Sequence, residues 1–83
     1  MKKYLVDVYL PSLGKHYDVY LPISKTIGEA TGLLAKIAES ITNGGYKCTE
    51  HTLLLNADNG SPFNRDISVY DAGIRNSSML ILI

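Results

Sequence analysis

The sequence has 83 residues, eight basic and eight acidic, and so no net charge. One domain spanning residues 1–83 is expected, and the scattered lysines and arginines do not supply the clustered basic face that nucleic acid or an anionic membrane demands. A single cysteine, Cys48, excludes an internal disulfide and fits a reducing, cytoplasmic setting, while the apolar run after Met1-Lys2-Lys3 is broken by Asp7 and Pro11, too short for a signal peptide or a membrane span.

Lys3 to Leu10 alternates. Tyr4, Val6, Val8 and Leu10 share one face, and Lys3, Leu5, Asp7 and Tyr9 the other, the pattern of a half-buried strand. Pro11-Ser12-Leu13-Gly14-Lys15 has turn chemistry. His16 to Leu21 alternates again, with Tyr17, Val19 and Leu21 on the core side. Two such strands joined by a short turn predict a hairpin.

Thr26-Ile27-Gly28-Glu29 has the form of a capping box, in which the Thr26 hydroxyl and the Glu29 carboxylate each accept from the other's backbone N–H. Apolar residues follow at Ile27, Ala30, Leu34, Ile37, Ala38 and Ile41, in steps of three and four that trace a helical stripe. Gly32 interrupts the helix at a cost of about 1 kcal/mol relative to Ala; close packing over a strand would account for it. Asn43-Gly44-Gly45 is a helix stop. Tyr46 to His51 reads as a polar connection, Thr52 to Leu55 as a short strand, and Ala57-Asp58-Asn59-Gly60 as a turn. Ser61-Pro62-Phe63 is at most a short edge strand, since Pro62 donates nothing to a ladder. A connection from Asn64 to Gly73 precedes Ser78-Met79-Leu80-Ile81-Leu82-Ile83. A run this apolar belongs in the centre of a sheet, because at an edge it would invite aggregation.

The order is hairpin, helix, strand, short strand, connection, strand. It predicts an α+β fold in which one helix packs on one face of a mixed sheet, with the last strand central beside the first. The capping box at Thr26–Glu29 and the segment Val69-Tyr70-Asp71-Ala72-Gly73-Ile74-Arg75-Asn76-Ser77-Ser78-Met79-Leu80-Ile81-Leu82 resemble the start of the single helix and the closing pattern of the ubiquitin (β-grasp) superfamily. Within it the chain looks most like the small YukD/EsaB-type proteins of bacterial type VII (ESX-like) secretion. It shares with them its length, a hairpin starting almost at Met1, and the Asp71-x-Gly73-Ile74 turn. The resemblance implies a cytosolic, non-enzymatic accessory of the secretion machinery that is not conjugated to targets.

Sulfur carriers and covalent modifiers of this fold end in a slim Gly-Gly tail that threads an enzyme cleft. Here the last residue is Ile83, at the end of the predicted central strand, and Gly44-Gly45 is internal, so both activities are disfavoured. Cys48-x-x-His51 offers two of the four ligands of a structural zinc site, with only His16 as a further good one. The plainer reading is a free thiol and a surface histidine. Asn56-x-Asp58-x-Gly60 places its glycine too early for a calcium loop and lacks a closing acid, which leaves a turn. Asp7 and Asp18 face each other across the predicted hairpin, but carboxylates on an open face do no acid–base work. No catalytic constellation, cofactor or metal site is expected.

One helix covers one side of a sheet. If Leu80 and Leu82 point to the helix, Met79, Ile81 and Ile83 point away. If Leu53 and Leu55 point in, Leu54 points out. Leu5 and Tyr9 join the outer face from the first strand and Tyr20 from the second. Leu5, Tyr9, Tyr20, Leu54, Met79, Ile81 and Ile83 are therefore the expected protein-interaction residues, since contiguous apolar surface marks a contact site. A heterologous protein or a second copy of the chain would each cover it, and a slip of one residue in register would exchange the faces.

Overall fold

A computed structural model describes residues 2–83. β1 (Lys3–Leu10) and β2 (Lys15–Pro22) form an antiparallel hairpin with Lys3 opposite Pro22 and Leu10 opposite Lys15. The turn between them closes on the Leu10 carbonyl, which accepts from the amides of Leu13 and Gly14. Gly14 takes φ +63°, where a side chain is strained. α1 (Ile27–Ile41) follows, then β3 (Leu54–Asn56) and β4 (Met79–Leu82). The strand order is β2-β1-β4-β3, with β4 parallel to β1 and antiparallel to β3. The apolar terminal run is thus the paired, central strand that its composition demands.

Every amide of the helix's first turn is satisfied, and two by a distant part of the chain. Glu29 N–H donates to Thr26 Oγ1 (3.2 Å) and Thr26 N–H to Glu29 Oε1 (3.2 Å), completing the capping box. Ala30 N–H donates to the Thr26 carbonyl, while Ile27 N–H and Gly28 N–H donate to the carbonyls of Ile67 and Arg65. The connection after β3 is therefore laid against the helix start. It is also tied to the chain before the helix, by Val69 N–H to Lys25 O and Tyr70 N–H to Ile23 O. The approach is close: a Cβ at Gly28 would stand at van der Waals contact, 3.4 Å, from both the carbonyl and the guanidinium of Arg65. Farther along, Arg75 Nη1 donates to the carbonyls of Tyr70 (3.0 Å) and Ile74 (2.7 Å), and its guanidinium lies over the Tyr70 ring. That clamp holds Ile74 and Val69 in the core.

The core lies between α1 and the inner face of the sheet: Val6, Val8 and Leu10 from β1, Leu21 from β2, Leu54, Leu80 and Leu82 from β3 and β4, and Ile27, Ala30, Leu34, Ala35 and Ala38 from the helix. Three details differ from the sequence reading. The buried helix stripe runs through Thr31 and Ala35, and Ile37 and Ile41 stay more than a third exposed at its margin, beside Tyr17 and Val19 of β2. Gly32 packs against nothing; a Cβ there would meet no atom within 4 Å. Tyr46, assigned to a polar connection, is buried. It closes the open end of the core, its hydroxyl donating to Thr52 Oγ1 (3.3 Å).

The largest correction is in β3. Thr52 and Leu54 face the core, whereas Leu53 and Leu55 face outward. Leu54 is 3% exposed and Leu53 39%. Leu54 therefore leaves the set of outer-face residues. The cause is the register imposed by β4: Leu54 pairs with Leu82 and Leu55 with Ile81, and directly opposite side chains share a face. Leu53 and Ile83 continue the ladder, each amide donating to the other's carbonyl (3.1 and 3.0 Å).

Candidate protein-interaction face

The face of the sheet away from α1 is built in rows by the strand pairing. One row runs His16, Tyr9, Ile81, Leu55; the next runs Asp18, Asp7, Met79. Beyond the first row lie Leu53 and Ile83, and beyond the second lie Tyr20 and Leu5. No helix covers these rows. Met79 is 51% exposed and Ile83 50%, and Tyr9, Leu55 and Ile81 are half-buried against their neighbours. A shallow depression of about 220 Å³ is lined by Asp7, Tyr9, His16, Ala57, Met79 and Ile81.

Tyr9, Met79, Ile81 and Ile83 are thus brought together as the alternation predicts. Leu5 and Tyr20 pair with one another, but the charged row of Asp7 and Asp18 separates them from the others. Lys3 extends over the Tyr20 ring at 4.9 Å, covering that smaller apolar spot. Leu53 and Leu55 belong to the face and replace Leu54. Nothing within Thr52-Leu53-Leu54-Leu55 marks them out, because three consecutive leucines carry no alternation; only the partner strand decides. The polar margin is ordered. His16 Nδ1 is 2.9 Å from Asp7 Oδ1, and the His16 ring packs against Tyr9, tilted by 33°, with centroids 4.5 Å apart.

The other candidate motifs take structural roles. Asn56 Oδ1 accepts from Asp58 N–H, and the Asn56 carbonyl from Gly60 N–H, which makes this stretch a turn. Cys48 N–H donates to Glu39 Oε2, tying the chain to the end of α1. His51 is exposed, with Nε2 3.6 Å from Glu50 Oε1. Among the described residues no three His, Cys, Asp or Glu side chains gather where they could hold a metal ion. No helix among them is long and apolar enough to cross a membrane. Glu29 titrates below its ordinary range because the Thr26 amide and hydroxyl donate to it.

No protein-family model and no curated protein matches the chain by sequence. Solved structures match it over its whole length. The EccD5 ubiquitin-like domain from Mycobacterium xenopi superposes with a TM-score of 0.81 at 17% identity, covering 100% of this chain and 94% of that one. The chain has a ubiquitin-like, β-grasp fold. The ubiquitin-like domain of the Mycobacterium tuberculosis type VII secretion protein EccD1 matches with a TM-score of 0.68 at 17% identity, over 100% of this chain and 99% of that one. A chain of an ESX-5 inner membrane complex matches with a TM-score of 0.82, also at 17% identity; all of this chain aligns with 21% of that one.

Proposed function

We propose that this chain is a non-enzymatic, ubiquitin-like protein-interaction module of type VII secretion, of the YukD/EsaB type, acting in the cytoplasm and not conjugated to targets. The observation that carries the reading is the outer sheet face. Tyr9, Leu53, Leu55, Met79, Ile81 and Ile83 form a contiguous apolar strip that the single helix leaves bare. An antiparallel face turned to water reads polar, and a strip of this kind marks a contact surface. The likeness to ubiquitin-like domains of secretion proteins supports the setting. A match within an inner membrane complex supports a component of such machinery as the partner.

The test is complementation of a deletion strain with Met79→Asp and Leu53→Asp variants. Both side chains are exposed, so each purified variant is expected to remain folded and to melt within about 8 °C of the parent, the shift that a loss of about 1 kcal/mol gives a domain of this size. Secretion is expected to fail. Normal secretion from folded variants refutes the reading. Sedimentation of the parent over a dilution series separates a partner from a second copy on the same face: a dimer dissociated by Met79→Asp would make self-association the occupant.

A further inference from the structure

Given the docking reading of this face, we propose that the partner places an arginine or lysine beside its apolar anchor, received by the paired carboxylates of Asp7 and Asp18. The two residues are directly opposite in the hairpin, and both stand on the outer face. Like charges so placed repel. The chain supplies little to offset them. His16 Nδ1 reaches Asp7 Oδ1 at 2.9 Å, and among the described residues no lysine or arginine lies within 4.0 Å of either carboxylate. Lys3, the cation of this face, is turned to the Tyr20 ring.

The position of the pair decides what can cover the strip. Asp7 is next to Met79 in the parallel β1–β4 register and lines the depression with Tyr9, Met79 and Ile81. An apolar group seated there removes water from the Asp7 carboxylate, whose side chain is only 30% exposed to begin with. A carboxylate desolvated without a cation opposes binding strongly. A neutral or acidic partner surface is therefore selected against, and a basic group next to the apolar anchor is selected for. A guanidinium suits the site best, because its planar fork can donate to two carboxylates at once.

The experiment selects binders to the intact chain from a displayed library of random twelve-residue peptides and measures their affinity for variants. Asp7→Asn/Asp18→Asn and Asp18→Asn alone remove charge without changing shape; Asp18 is exposed, so the single variant folds whatever the double does. Met79→Asn and Leu53→Asn, which add no charge beside the carboxylates, report on the strip itself. The expected result is a set of peptides carrying Arg or Lys next to an apolar residue. Their binding is lost with Met79→Asn, weakened at least about tenfold by the double substitution and at least about threefold by Asp18→Asn. Salt should weaken binding to the parent and hardly affect binding to the double variant. Binders that need Met79 and Leu53 but show no basic enrichment and no loss with the asparagine variants overturn the cation pairing and leave the docking face standing. Binders indifferent to Met79→Asn and Leu53→Asn overturn both.

Discussion

The alternation in β3 makes a sharp prediction from two adjacent leucines. Leu54 is 3% exposed, on the inner face opposite Leu82; Leu53 is 39% exposed, on the outer face opposite Ile83. Truncating Leu54 to Ala removes apolar atoms from a closed core and leaves a cavity, a combined loss of about 3 kcal/mol. In a domain of this length that lowers the melting midpoint by about 12–24 °C. Truncating Leu53 removes the same atoms from a surface open to water. No cavity forms, and only its partly buried area is lost, so the cost is about 1 kcal/mol or less. Urea unfolding at 25 °C followed by far-ultraviolet circular dichroism gives both values. The m-value should be unchanged if both variants unfold from the same compact state. Equal costs, or a larger cost for Leu53→Ala, would refute the register of β3 and with it the assignment of Leu53 and Leu55 to the outer face.

Two further outcomes follow from the helix. Gly32→Ala adds a methyl group that meets no atom within 4 Å and replaces the poorest ordinary helix former with the best, so it should raise stability by about 1 kcal/mol in the same urea assay. Glu29 is held below its ordinary value of 4.5 by hydrogen bonds from Thr26. Its folded pKa lies below its unfolded one, so the contribution of the charged cap is present above the unfolded value and lost as pH falls through the folded value. The parent should therefore be more stable than Glu29→Gln at pH 7, and the difference should vanish once the carboxylate is protonated, as thermal melts across pH 2 to 7 would register. A constant difference over that range would show that charge plays no part in the cap.

Much of this molecule is legible in the sequence because its periods are clean. Lys3 to Leu10 and His16 to Leu21 alternate without interruption, and the structure pairs them face for face. The capping box needs only Thr26 and Glu29, and both reciprocal bonds form. The run Met79 to Leu82 takes the central position that its unbroken apolarity requires. Where the pattern is degenerate, tertiary context decides. Leu53, Leu54 and Leu55 are indistinguishable by type, and one residue of register exchanges their faces. Ile37 and Ile41 match the helical stripe by spacing, yet they sit at its margin beside Tyr17 and Val19 and stay partly open to water, while the smaller Thr31 and Ala35 take the core line. Tyr46 carries a hydroxyl and sits among polar neighbours, so its role as a lid on the core depends on Thr52, six residues away, to accept from it. For the candidate face, the same split holds: Tyr9, Met79, Ile81 and Ile83 follow from alternation, while Leu53, Leu55 and the intervening row of Asp7 and Asp18 follow from pairing.

The central place of β4 has a consequence for how the chain reaches its fold. Asp7 pairs with Met79 and Tyr9 with Ile81, nearly the full length of the chain apart. The hairpin and the helix depend on neighbours in sequence and can form within microseconds, but the slot between β1 and β3 stays empty until residues 79–82 have left the ribosome. Throughout that interval the edge of β1 that β4 takes up has no strand partner. The sheet of such a chain therefore closes only when β4 joins it, and removing the four residues of β4 would separate the hairpin from β3 rather than merely trim the domain.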